Sequence, residues 1–426
     1  MKKLLVLLFL LGIISTSYVI YKYINEKNYY KNEVEKILDK IDIEVEDNII
    51  LNDLYIYGNH LNIDGNILNN NIKNIELVIK SYDTEIIPLI LTKNDDKINF
   101  KISSEINNGL ILDDYNNAIY VLFLKITNYD NSVNYYSINY SEELIYYTIT
   151  NDLKENYKII INNDNQFNTI SFKSTLTNEE TYDIILDPGH GGRDSGACLY
   201  KNKTCERDYT PIISKKIKEK LETYNIKVAY TWDIDNIKNS EIIPNYGEKS
   251  RTGRTYETHA KYLISIHLNS SSSRKGSGFE IYTPYNINYE FANLLKNNFS
   301  KITNYSSNSS FRVSDGIYTR TFTTYDLEDI KKVREKNNLE PLNVSNKTNY
   351  YFMIRETSGK IGGAYVDGTT HEDGSNNIYR NSSVTSEGYI IELGYISNKK
   401  DVEHVNDNLD LYVDAIVNSI IEYLGK

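Results

Sequence analysis

Residues 182–197 read Tyr182-Asp-Ile-Ile-Leu-Asp-Pro-Gly-His-Gly-Gly-Arg-Asp-Ser-Gly-Ala197. The first part is an apolar strand ending in Asp187-Pro188-Gly189. A glycine-rich loop around His190 follows. From here to the C-terminus the text alternates strand and helix. Thr210-Pro211 reads as the N-cap and first-turn proline of a helix whose stripe is Ile213, Ile217 and Leu221. Ile226–Thr231, Tyr262–His267, Phe279–Thr283 and Gly388–Leu393 read as further strands. Phe291, Leu294, Leu295, Phe299 and Ile302 mark a second helix. Val413, Ile416, Val417, Ile420, Ile421 and Leu424 mark the last. This is α/β grammar, and a mostly parallel sheet is expected over residues 180–426. The stretch 284–386 fits it least. It reads as a large insertion holding the Phe291 helix, a charged helix at Asp326–Asn338 and a Gly- and Asn-rich tract.

Upstream, the grammar changes. Residues 47–175 are short β-branched or aromatic runs separated by Asn, Asp and Gly. Asp64-Gly65 and Asn108-Gly109 are among the expected turns. An all-β sandwich, immunoglobulin-like, is expected. Residues 25–46 are charged with scattered apolar positions and read as a stalk. Residues 1–24 open with Lys2 and Lys3 before an apolar run from Leu4 to Ile14, resumed after Ser15-Thr16-Ser17. That is either an uncleaved signal anchor, N-in and C-out, which would tie the chain to the membrane, or a cleaved signal peptide. Both place the rest of the chain outside the cytoplasm, membrane-anchored or secreted to the wall. In such a compartment the close pair Cys198 and Cys205 is a disulfide candidate, with free thiols as the alternative.

A chain of 426 residues suggests two or three domains. Its formal charge of −11, from 47 Lys and Arg against 58 Asp and Glu, argues against a nucleic-acid partner, which needs clustered cations. The abundance of Tyr, Asn, Ile and Lys reads as AT-rich codon usage before it reads as function.

The chemistry lies at strand ends. His190 follows the first strand of the α/β half and His267 closes another; ligands in open α/β sheets bind beyond such ends. Glu206 precedes the Pro211 helix, where the chain returns to the same rim. Two imidazoles and a carboxylate, with one position left for water, is the layout of a catalytic zinc site. Glu392 sits between Ile391 and Leu393, where a carboxylate is costly to bury unless it is paired or used. It is the candidate general base toward zinc-activated water. Asp187 and Ser265 are candidates to orient the ligands. His60, His259 and His404 read as surface residues, and His371 as a residue of the insertion.

Four motifs in order carry a resemblance: Ile184–Ala197, Glu206-Arg-Asp, Ser265-Ile-His-Leu-Asn269 and Glu392-Leu-Gly-Tyr-Ile-Ser-Asn398. Together they resemble the zinc-dependent N-acetylmuramoyl-L-alanine amidases, the type-3 amidases of bacterial cell walls. The resemblance covers Tyr182–Tyr282 and Ser386–Leu424. It implies that His190, Glu206 and His267 bind one Zn2+ per chain and that Glu392 is catalytic. It implies a peptidoglycan substrate, cut between N-acetylmuramic acid and L-alanine. Arg251, Asn269 and Arg355 are candidate substrate contacts, with Tyr351 and Tyr365 suited to sugar stacking. Trp232, Lys261 and Leu268 stand where members commonly have Arg, Asp and Ala. The insertion is expected either to wall the glycan groove or to block the metal through its Asp326–Asn338 helix until an activator protein moves it. Alternative readings are a zinc peptidase or deacylase on another wall bond, and a non-catalytic peptidoglycan-binding module.

Overall fold

The computed structural model describes residues 20–426 apart from 23, 26–27, 39–40, 70, 95–96, 107–108, 116–117, 150–154, 165–167, 200–203, 286, 343, 363–373 and 380–381. The segment Met1–Val19, on which the export reading rests, lies outside the described residues, as do Tyr365 and His371. No helix among the described residues is long and apolar enough to cross a membrane.

The chain is a mixed α/β protein with three large sheets. The central sheet runs Val228–Tyr230, Ile184–Pro188, Tyr262–Asn269 and Glu387–Tyr395, all parallel. Glu280–Tyr282 adds antiparallel to the last of these, and Ile317–Tyr318 and Arg312–Ser314 extend the edge. The middle strands read as unbroken apolar runs because both faces are covered. Ile213, Ile217 and Leu221 of the helix Glu206–Thr223 pack on one face with Tyr412, Val413, Ile416 and Ile420 of Leu409–Tyr423.

That helix begins at Glu206, four residues before the expected Thr210 cap. The backbone N–H of Cys205 donates to Asp208 Oδ2 at 2.8 Å, which fixes the first turn. The Thr210 hydroxyl is used elsewhere, donating to the carbonyl of Gly189 at 2.6 Å.

The insertion is smaller than its sequence boundaries suggested. The helix Glu290–Phe299 buries Phe291, Ala292, Leu295 and Phe299 in the main core. Ile317–Tyr318 pairs with the central sheet. These parts belong to the domain, not to a lid.

Upstream, two further sheets share one core. One contains Ile49–Tyr57, His60–Ile67, Ile98–Ile102 and Ile90–Lys93. The other contains Leu144–Ile149, Asn156–Asp164, Thr169–Leu176, Ile119–Asn128, Ile72–Lys80 and Thr84–Pro88. Leu54, Ile56, Ile63 and Phe100 of the first meet Leu77, Leu122, Leu124 and Phe172 of the second. Asp64-Gly65 is not a turn. Gly65 lies inside the strand His60–Ile67, and a Cβ there would come within 2.3 Å of the Phe100 ring. Nor are residues 25–46 a solvated stalk. A helix over 28–37 buries Val34 and Ile37 against Val78, Val121 and Phe123 on the outer face of the second sheet.

The two halves are sewn together. Val384–Thr385, just before the Glu387–Tyr395 strand, pairs in parallel with Ile56 and Tyr57. Lys261 Nζ lies 2.9 Å from Asp113 across the same seam.

Candidate metal centre

The parallel strands deliver three of the four expected site residues to one rim. His190 lies in the loop after Ile184–Pro188. His267 and Glu392 are direct register partners on neighbouring strands. Glu206 arrives at the same rim as the first residue of its 18-residue helix.

The ligand atoms of His190, Glu206 and His267 all lie within 4.8 Å of one another. Glu206 Oε2 is 3.2 Å from His190 Nε2 and 3.3 Å from His267 Nδ1. Its other oxygen accepts from the Ala197 N–H at 2.8 Å, so the carboxylate is oriented from behind. The two imidazoles stand at 82° with centroids 4.9 Å apart. His190 holds a left-handed backbone, φ 62°, a conformation that costs about 1 kcal/mol or more in a non-glycine residue. Two glycines make room for the rings. A Cβ on Gly189 would lie 2.4 Å from His267 Cε1, and one on Gly196 2.6 Å from His190 Cδ2.

The supports differ in part from those expected. Asp194, within the quoted loop but given no role in the sequence reading, bonds His190 Nδ1 at 2.8 Å. Among the described residues no hydrogen bond joins Asp187 or Ser265 to either ring. Asp187 is buried and accepts from Ser265 Oγ, Thr231 Oγ1 and Arg251, each at 2.6 Å. Arg251, a candidate substrate contact, is turned inward. Its guanidinium is enclosed and also donates to the carbonyls of Pro188 and His190. Trp232 Nε1 donates to the same Pro188 carbonyl at 3.0 Å. Arg251 and Trp232 therefore brace the His190 loop. Arg355 is 1 % exposed and bonds Glu356 and the carbonyls of Asn349 and Tyr350. This candidate contact is thus enclosed inside the insertion and is not among the residues lining the cavity.

Asn269 does line the site, with Glu280 Oε2 accepting from its amide at 2.9 Å. The cavity holds about 350 Å³ and is walled by the four expected residues with Leu268, Asn269, Ser270, Ile390, Tyr351, Phe352 and Met353. The last three come from the insertion. The charged helix, Thr324–Lys336, is not among its walls, so the residues expected to block the metal lie off the site. Cys198 and Cys205 are disulfide-bonded and brace the turn into Glu206. His60, His259 and His404 are half-buried and held by contacts, not free at the surface as expected. His259 stacks on Tyr147 at 3.9 Å, His60 has a buried Nδ1, and His404 Nε2 bonds the Ile302 carbonyl.

The set attracts positive charge. Burial raises the Glu206 carboxyl, yet hydrogen bonds to His190 and His267 outweigh it and hold it at about 2. Burial lowers His190, but its bonds to Asp194 and Glu206 lift it to about 10. Glu392 is 8 % exposed and its Oε2 is buried without a hydrogen-bond partner among the described residues. Burial first, then the like charges of Glu206 and Glu280, push its carboxyl well above the usual range. Two nitrogens, one carboxylate and an adjacent orphaned carboxylate oxygen fit a divalent cation of the zinc type.

The chain belongs to the N-acetylmuramoyl-L-alanine amidase family, which matches residues 184–422, more than half of its length. It is 36% identical over 101 residues to N-acetylmuramoyl-L-alanine amidase AmiC of Escherichia coli, covering 23% of this chain and 22% of that one. It is 29% identical over 143 residues to the germination-specific N-acetylmuramoyl-L-alanine amidase of Bacillus subtilis, covering 32% and 59%. The chain thus spans less than two thirds of these curated relatives. Among solved structures, AmiC2 of Nostoc punctiforme aligns with 57% of this chain and 97% of its own at 18% identity, TM-score 0.34.

Proposed function

We propose that this chain is a zinc-dependent N-acetylmuramoyl-L-alanine amidase that hydrolyses the amide between N-acetylmuramic acid and L-alanine in peptidoglycan. The observation that carries the reading is the convergence, in one cavity, of His190, Glu206 and His267 beside Glu392, whose Oε2 has no partner among the described residues. Membership of the family supplies the substrate class.

Under this reading His190, Glu206 and His267 hold one Zn2+ per chain. When bound, that ion supplies Lewis acidity toward the scissile carbonyl and toward water. Asp194 holds the His190 Nδ1 proton, which leaves Nε2 free to act as a donor atom. Glu392 accepts the proton of the attacking water at Oε2 and returns it to the leaving nitrogen. Arg251 and Asp187 fix the loop that presents His190. Tyr351, Phe352 and Met353 keep bulk water from the carbonyl and offer an apolar wall to the substrate.

The wall polymer lies outside the cytoplasm. The charged and apolar pattern of residues 1–24 and the Cys198–Cys205 disulfide both suit that compartment.

The test is digestion of purified peptidoglycan by the full chain with and without a chelator, read by mass analysis. The reading expects intact stem peptides released from N-acetylmuramic acid, loss of release with chelator, and recovery on adding zinc. Cuts inside the stem would make it a peptidase and loss of acetyl groups a deacylase. Binding without release would make it a non-catalytic module. Each of these outcomes sinks the proposal.

A further inference from the structure

Three strands carry the site at their carboxyl ends, and all three begin at one buried junction. Asp183 immediately precedes Ile184–Pro188, which leads to His190. Lys261 immediately precedes Tyr262–Asn269, which holds His267. Glu387 is the first residue of Glu387–Tyr395, which holds Glu392. At the junction the backbone N–H groups of Lys261 and Tyr262 both donate to the Asp183 carbonyl at 3.2 Å, and that of Glu387 donates to the Lys261 carbonyl at 2.8 Å.

The side chain of Lys261 joins this junction to the upstream sandwich. It is 7 % exposed. Its ammonium lies 2.9 Å from Asp113 and 3.7 Å from Asp183, and donates to Thr148 Oγ1 at 3.4 Å. Asp113 also accepts from Tyr146 and Thr148 at 2.9 and 2.6 Å. Two of the ammonium's three partners therefore come from the sandwich. A buried ammonium left without its counter-charge is strongly unfavourable. The second tie lies beside the first, where Ile56 and Tyr57 pair with Val384 and Thr385, and Thr385 Oγ1 donates to the Ile56 carbonyl at 3.0 Å.

Register set at one end of a strand is set at the other. A slip of one residue turns every side chain to the opposite face. Tyr262 is paired with Glu387 at the junction and His267 with Glu392 at the rim, in one continuous ladder.

We propose that the sandwich is a positioning element of the catalytic sheet, acting through Asp113 and Lys261, which lock the starting register of the three strands that present His190, His267 and Glu392. This rests on the amidase reading for its activity arm. It also gives a physical reason for a lysine at position 261: the sandwich supplies the aspartate that a cation there needs.

The test uses the full chain in four forms: wild type, Asp113→Asn, Lys261→Met, and the pair Asp113→Leu with Lys261→Met. Release of stem peptide, zinc affinity by competition with a chromogenic chelator, and melting temperature are measured on each. We expect Asp113→Asn and Lys261→Met to keep one zinc per chain but to weaken its affinity about tenfold. We expect their kcat to fall at least tenfold, with KM within twofold. The apolar pair should recover at least half of both losses, because it removes the Asp113 and Lys261 charges together and leaves only Asp183, whose carboxylate keeps the Lys227 N–H at 3.0 Å. Zinc affinity and kcat unchanged in both single variants would overturn the proposal. So would losses that track the unfolded fraction alone and are not recovered in the pair. If wild type releases no stem peptide, the amidase reading fails, while the zinc-affinity arm still decides this one.

Discussion

Replacing Glu392 with Gln separates a catalytic carboxylate from a structural one, because the two roles move stability in opposite directions. The native side chain is 8 % exposed, carries a buried oxygen without a partner among the described residues, and faces the like charges of Glu206 and Glu280. In the metal-free chain such a carboxyl must either take up a proton on folding or stay charged beside its like neighbours, at a cost of at least about 1 kcal/mol. Gln keeps the shape and has no ionisable proton. The metal-free variant should therefore be the more stable by roughly 1 kcal/mol, which in a domain of this size shifts the melting temperature up by about 2–4 °C. Turnover should move the other way. Loss of the proton acceptor should lower kcat by about 10²–10⁴-fold, equivalent to about 3–5 kcal/mol of barrier. Zinc stoichiometry should stay at one, since Glu392 is not among the three grouped ligands. The assays are calorimetry of the chelator-treated protein and timed release of stem peptide. Near-wild-type turnover would refute the assignment of the base. A lower melting temperature in the metal-free variant would refute the account of its burial.

Two further substitutions probe the scaffold. Burial lifts the Glu387 carboxyl to about 7, against hydrogen bonds from Tyr389 and Tyr423 that lower it. The folded state thus binds this proton more tightly than the unfolded chain. Stability should fall as pH rises from about 4.5 to about 7, by an amount on the order of 3 kcal/mol, and stay flat above. Glu387→Gln should flatten that slope and raise the melting temperature at pH 8 far more than at pH 4.5; an unchanged slope would count against the shift. Gly189→Ala drives a methyl into the His267 ring. It should weaken zinc binding at least tenfold, as overpacking costs about 1–3 kcal/mol, and wild-type affinity by chelator competition would contradict the close approach.

The parallel core was legible because buried strands write themselves as unbroken apolar runs, as in Ile184–Leu186 and Gly388–Leu393. The four convergent residues were legible because they sit at strand ends or next to a helix start. What escaped depends on contacts distant in sequence. Asp194 is an ordinary loop aspartate until His190 turns its ring toward it. Arg251 and Arg355 read as candidate substrate contacts because nothing local shows the carbonyls and carboxylates that enclose them. Asp64-Gly65 reads as a turn because the dipeptide suits one, and only the Phe100 ring explains a glycine inside the strand His60–Ile67. Residues 28–37 read as a stalk because their two buried positions match a sheet face that forms elsewhere. The part played by Phe352 and Met353 in the cavity was hidden in a tract with no helical period long enough to notice.

The crowding around the two imidazoles bears on how such a sequence can drift. Four of the chain's 21 glycines fall between positions 189 and 196. Glycine codons are rich in G and C, and the rest of the chain leans toward residues whose codons are not. A mutational tide toward A and T should thin glycines wherever a small side chain can be borne. Here an added methyl would strike a histidine ring at Gly189 and Gly196, the Trp232 ring at Gly191 and the Glu241 carbonyl at Gly192, so this loop is a fixed point against which the compositional shift elsewhere can be gauged.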